Sequence, residues 1–266
     1  MLEIIGYISA VVIGISLGLI GGGGSILTVP VLVYLMGISP VMATAYSLFI
    51  VGSSSLIGAV QYAIKGMVDF KTALLFGAPS IVAVYLTRAF LVPAIPDDIL
   101  TIGSFALTKN LLLMLLFAVL MVVASISMIK TKKETKQKSH TQRAGIVTVL
   151  LVLLEGLLVG TLTGLVGAGG GFLIIPALVL ISGLEMKTAI ATSLLIISAK
   201  SLLGFIGDIE NYVIEWNFLL LFTAIAAAGI FVGSYLSNKI DGKALKKGFG
   251  YFVLAMGIFI LFKELL

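Results

Sequence analysis

The stretch Gly18-Leu19-Ile20-Gly21-Gly22-Gly23-Gly24-Ser25-Ile26-Leu27-Thr28-Val29-Pro30 returns 146 residues later as Gly164-Leu165-Val166-Gly167-Ala168-Gly169-Gly170-Gly171-Phe172-Leu173-Ile174-Ile175-Pro176. A glycine cluster inside an apolar run predicts a break in a helix and a backbone that something else can approach closely. Outward from this block, residues 18–58 align with 164–204 without a gap, at 18 identities in 41 positions. Val68-Asp69-Phe70 then lies over Ile214-Glu215-Trp216. The chain is an internal duplication.

Its solvent follows from composition. Of 266 residues, 60% are hydrophobic and only 11% charged, and the mean hydropathy is +1.22. A soluble domain carries about 25% charged residues, so this chain belongs in a bilayer. The net charge of +5 sits in short clusters beside apolar spans, as topology signals do, so no nucleic-acid partner is expected. With no cysteine and a single histidine, His140 in the charged linker, thiol chemistry and an imidazole metal cluster within the membrane are excluded. No metal and no cofactor is expected. Met1-Leu-Glu-Ile lacks a basic n-region and reads as the start of the first span.

Hydropathy predicts an all-α membrane protein of two homologous halves. Repeat 1, residues 1–130, has a broken hairpin over 4–36 and spans at 40–64, 70–92 and 107–130. A basic linker follows at 131–143. Repeat 2, residues 144–266, has its hairpin at 144–182 and spans at 186–209, 215–238 and 244–265. The six basic residues from Lys130 to Arg143 place the linker in the cytoplasm. Lys65–Lys71 and Asn238–Lys247 then face in, whereas Pro93–Asp98 and Gly207–Glu215, which lack cations, face out. Equivalent loops thus carry opposite bias. This predicts inverted repeats, each a Gly-broken helical hairpin plus three transmembrane helices, with both termini outside the cell membrane. Four crossings per half, related in parallel, is the competing arrangement.

The glycine tips are the candidate solute site. Gly21, Gly22, Gly23, Gly24 and Ser25, with Gly167, Gly169, Gly170 and Gly171, can present N–H groups at a helix start, where the dipole favours an anion. Close helix packing is the alternative use of such glycines. In the next span Ser47, Val51, Ser54 and Gly58 share a face, duplicated as Ser193, Ile197, Lys200 and Gly204. Thr192 and its counterpart Tyr46 add hydroxyls. A lysine such as Lys200 away from the interface costs about 3 kcal/mol or more; it is either a solute counter-charge or a side chain reaching back to headgroups. Glu155 is the candidate for pairing with Lys200 or for proton coupling. Arg88 reads as an interfacial anchor, and Gln61 and Asp208 as span-end residues facing water.

In these residues the chain resembles the TauE/SafE (sulfite exporter, TSUP) family: the Gly-rich blocks ending in Pro30 and Pro176, the segments Ala43–Ser47 and Ala189–Ser193, and the Val-Asp-Phe or Ile-Glu-Trp start of the following span. The resemblance implies movement, commonly outward, of small sulfur-containing anions such as sulfite or organosulfonates. The expectation is a secondary transporter working by alternating access, with a passive anion channel as the alternative and a membrane enzyme or assembly factor the remote ones. Expected partners are a small anionic solute, membrane lipid, a coupled proton and a second copy of the chain.

Overall fold

A computed structural model describes residues 2–102, 105–129, 146–180, 182–237 and 242–266. The basic linker 131–143 and Asn238–Asp241 lie outside the described residues.

The first half runs α1 (Leu2–Ile20), a 3₁₀ turn over Gly21–Leu27, α2 (Thr28–Tyr34), α3 (Pro40–Ile64) and α4 (Phe70–Leu86). A π-turn at Thr87–Leu91 carries α4 into the short α5 (Val92–Ala94). A two-stranded antiparallel hairpin, β1 (Asp98–Ile102) and β2 (Phe105–Thr108), leads into α6 (Lys109–Ile129). The second half comprises α7 (Ile146–Val166), α8 (Gly171–Leu180), α9 (Met186–Ile209), α10 (Trp216–Ser237) and α11 (Gly242–Leu265). The hairpin corrects the purely helical expectation: Ile99, Thr101 and Ile102 favour extended backbone, and the segment lies between spans, where water can satisfy strand edges.

Among the described residues five helices are long and apolar enough to cross about 30 Å of hydrocarbon: Pro40–Ile64, Phe70–Ala94, Lys109–Ile126, Lys187–Ile209 and Trp216–Leu236. Local chemistry sets their starts. Pro40 opens α3, where its missing N–H is no loss, and the Asp69 carboxylate accepts from the Thr72 N–H at 2.9 Å at the start of α4. Large apolar side chains such as Leu74, Phe90, Leu158 and Phe262 are exposed, as the lipid-facing rim of a membrane bundle requires.

The packing pattern maps onto itself when each helix is exchanged for the one at the same place in the other half. Helix α1 packs on α10 and α7 on α4; α9 packs on α4 and α3 on α10; α3 pairs with α9 and α6 with α11. Glycines let these backbones touch. A Cβ on Gly14 would lie 1.9 Å from the Ala226 carbonyl oxygen, one on Gly233 2.2 Å from that of Ile15, and one on Gly160 2.5 Å from that of Ser80. In α1–α10 both helices supply glycine. In α4–α7 only α7 does, opposite Ala83 and Thr87. Helices α3 and α9 form the centre and are the most buried of the five spans. Gly52 lies against Leu202, Gly58 against Leu194 and Gly204 against Leu48, so the two run antiparallel. The start of α1 lies beside the end of α2, with Gly6 against Met36.

Candidate functional site

Both glycine turns are drawn to the middle of α3 and α9. Gly22 lies against Ile197 and Gly169 against Val51 and Ile197, and the described tip residues are buried. The turns touch through backbone: a Cβ on Gly171 would lie 2.1 Å from Gly22 Cα, and one on Gly22 would lie 2.6 Å from Gly171 Cα. The Ser25 hydroxyl reaches both sides of the joint, towards the Gly22 carbonyl at 2.7 Å and the Ala168 carbonyl.

The two tips differ in shape. In the first, Gly21 has positive φ (69°), and Gly22, Gly23 and Gly24 continue as a 3₁₀ turn. In the second, Gly167, Gly169 and Gly170 have φ of 71°, 64° and 74°, a left-handed region open to glycine at little cost. The Gly167 N–H donates to the Thr163 carbonyl at 2.8 Å and the Gly170 N–H to that of Ala168 at 2.6 Å. Gly171 opens α8, and the Leu173 and Ile174 N–H groups of its first turn both donate to the Gly170 carbonyl at 2.9 Å.

Lys200 is fully buried. Its Nζ donates to the Thr163 Oγ1 at 2.6 Å, and a Cβ built on Gly170 would stand 2.9 Å from it. Thr163 in turn donates to the Val159 carbonyl at 2.7 Å. Among the described residues Lys200 makes no ion pair. The expected pairing with Glu155 is therefore corrected: Glu155 stands half-buried on α7, two turns before Thr163. Snorkelling is corrected as well, because the ammonium points to the second glycine tip rather than to the bilayer surface.

The structure separates the remaining candidates. Ser47 and Ser54 are buried with hydroxyls that find no hydrogen-bond partner among the described residues, as are Ser55 and Ser201 nearby on α3 and α9. The Ser193 hydroxyl donates to the Ile190 carbonyl at 2.8 Å on its own helix. Thr192 Oγ1 accepts from the Asp69 N–H at 3.0 Å, and its counterpart Tyr46 accepts from the Glu215 N–H at 2.8 Å. This duplicated pair ties each half to the first residues of α4 or α10 in the other.

Two expectations at the span ends are overturned. Arg88 and Asp208 are both fully buried and form an ion pair, Nη1 to Oδ1, at 3.5 Å. Neither anchors at headgroups nor faces water, because the π-turn that follows α4 meets α9 closely here: a Cβ on Gly207 would lie 3.0 Å from the Ala89 nitrogen. Tyr212, in the loop after α9, has its phenol pushed above its ordinary pKa by burial first and then by the Asp208 carboxylate, so it stays a neutral donor. The signal was present in the loop charges, which put both span ends on one face; Thr163 had no signal beyond a hydroxyl in an apolar run.

A bundle of apolar helices, broken at two duplicated glycine turns that meet in its middle beside a buried lysine, defines a multi-pass membrane protein of the transporter class. The profile of the family described as "Sulfite exporter TauE/SafE" matches residues 7–260, and the chain belongs to that family. It is similar to a "Probable membrane transporter protein" of Xylella fastidiosa (strain Temecula1), 28% identical over 259 residues that cover 95% of this chain and 92% of the relative. It is 26% identical to the "Probable membrane transporter protein YunE" of Bacillus subtilis, covering 90% and 91%. A probable membrane transporter protein of Methanocaldococcus jannaschii is also 26% identical, covering 98% and 94%. No solved structure matches the chain. The protein is a membrane transporter and not an enzyme.

Proposed function

We propose that the chain is a secondary transporter that moves a small sulfur-containing anion, of the sulfite or organosulfonate class, out across the cytoplasmic membrane by alternating access of two inverted repeats. The observation that carries this reading is Lys200: a fully buried cation with one neutral partner, Thr163, aimed at the glycine tip of its own half. A charge held there costs about 3 kcal/mol, and an anion is the ligand that offsets it.

Inversion is supported by the antiparallel run of α3 and α9, which are equivalent helices. A two-fold axis along the membrane normal would make them parallel. On this reading each half is a hairpin that enters and leaves on one side, followed by three crossings, with the 131–143 linker cytoplasmic and the termini outside. Backbone contact between Gly22 and Gly171 leaves no room for a solute at the joint, so binding separates the tips. This favours a carrier over a continuous pore. Glu155 is kept as the proton-coupling candidate.

Sulfite flux into proteoliposomes tests the proposal. Wild type accumulates the anion against its gradient when a driving ion gradient is imposed, and Lys200→Ala lowers flux by about tenfold or more, the loss of one charge-assisted contact. Equal flux in the variant removes Lys200 from the mechanism, and flux that never accumulates solute favours a channel.

A further inference from the structure

The buried Arg88–Asp208 pair plays no part in the tip site, and its geometry is incomplete. Asp208 holds one corner of the guanidinium, Nη1, at 3.5 Å. Among the described residues Arg88 Nε and Nη2 are buried without a hydrogen-bond partner, as are Asp208 Oδ2 and the Tyr212 hydroxyl. A charged donor pair left bare inside a protein requires a physical reason. The free Nε–Nη2 edge is the planar fork that binds two oxygens of a carboxylate or phosphate at once, and a sulfite or sulfonate group offers the same pair of oxygens.

Position strengthens the reading. Arg88 sits in the π-turn Thr87–Leu91, an irregularity often found at functional positions. Asp208 lies eight residues beyond Lys200 on α9, about 12 Å along the helix. Past this pair a cleft of about 360 Å³ opens between the ends of the spans; Tyr212 and Asn211 form one wall and Asp97 and the buried Lys109 the other. Three cations, Lys200, Arg88 and Lys109, therefore mark successive levels from the centre of the bundle to its rim. The equivalents of Arg88 and Asp208 in the other half are Ser234 and Tyr62, both uncharged, so only one end of the molecule carries this arrangement.

We propose that Arg88 is a second oxyanion-binding residue, whose Nε–Nη2 edge holds the solute between the tip site and the rim while Asp208 fixes the guanidinium by its other corner. The inference rests on the carrier reading for its solute but not for its test. In this conformation the edge is buried, and the anion reaches it when the α4–α9 seam opens at that end.

Calorimetric titration of sulfite into purified full-length protein decides the matter, with wild type, Lys200→Ala, Arg88→Lys and the double variant. Arg88→Lys keeps a cation for Asp208 and removes the fork, and unchanged melting without anion verifies that the fold survives. Lys200→Ala is expected to retain weakened sulfite binding, and adding Arg88→Lys to weaken the remainder by about tenfold or more, as expected for one charge-assisted hydrogen bond. Residual binding indifferent to Arg88→Lys, or no binding to Lys200→Ala or to wild type, overturns the proposal. If binding follows expectation while wild-type proteoliposomes move no sulfite, the carrier reading falls and the Arg88 site stands.

Discussion

Replacing Gly171 with alanine adds one methyl group at the joint between the two glycine tips. Its Cβ would stand 2.1 Å from both Cα and C of Gly22 and 2.4 Å from the Gly22 oxygen. Ordinary contact begins near 3.4 Å, so the backbones must part by about 1.3 Å. No rotamer relieves this, because the obstructing atoms are main chain and Ile197 and Val51 pack around the joint. Overpacking of a core costs about 1–3 kcal/mol, and two opposed backbones put this case near 3 kcal/mol. Gly171 is not one of the positive-φ glycines, so the loss is steric and free of backbone strain. Gly248→Ala on α11 is the control: its Cβ meets nothing within 4 Å, and replacing a helical glycine stabilises by up to about 1 kcal/mol. Reversible unfolding in mixed micelles, followed by helical circular dichroism, compares the two variants with wild type. If Gly171→Ala is as stable as wild type, the tips do not meet backbone to backbone, and the central site has no basis.

Thr192→Val and Tyr46→Phe each leave a peptide N–H, of Asp69 or Glu215, without its cross-half acceptor; each is expected to lower stability in the same unfolding assay by about 1 kcal/mol, and equal stability would mark these bonds as incidental. Because the chain has no cysteine, single introduced thiols report topology cleanly: Asp97→Cys and Asn211→Cys are expected to react with a membrane-impermeant maleimide from outside intact cells and Lys65→Cys only after permeabilisation. Lys65 and Asn211 are equivalent positions, so labelling of Lys65→Cys and Asn211→Cys from the same side contradicts the inverted arrangement.

Much of the bundle was legible because the bilayer imposes a strong rule: apolar runs of fixed length, interrupted only where backbone lines something. The two glycine blocks could be singled out for the same reason, and their register of 146 residues pointed to a shared location. What hydropathy could not reveal was pairing across the halves. Arg88 and Asp208 stand near span ends, where a charge is cheap if it reaches water, and only the close approach of the π-turn after α4 to α9 at Gly207 turns them inward. Thr192 and Tyr46 looked like free hydroxyls along a helix face, yet both serve as acceptors for the first turns of α4 and α10. Serine and threonine in a membrane helix satisfy local backbone or distant groups equally well, and sequence does not distinguish the two.

The exchange of halves makes two geometrically equivalent seams, one formed by α4, α7 and α9, the other by α10, α1 and α3. On the first seam stand Thr163, Lys200, Asp208 and Arg88; at the equivalent positions of the second stand Leu17, Ser54, Tyr62 and Ser234. All the charge falls on one side. Three ionisable groups in a hydrocarbon-embedded bundle cost about 2.5–3.5 kcal/mol each on insertion scales, and nothing in the packing requires them, since the second seam closes without any. If the chain carries an anion as proposed, duplication supplied two routes past the glycine tips and the chemistry for the anion lies along one. A functional role for that chemistry predicts that flux responds to Lys200 on the first seam and is indifferent to Ser54→Ala on the second, a difference that a symmetric, purely structural use of these positions would not produce.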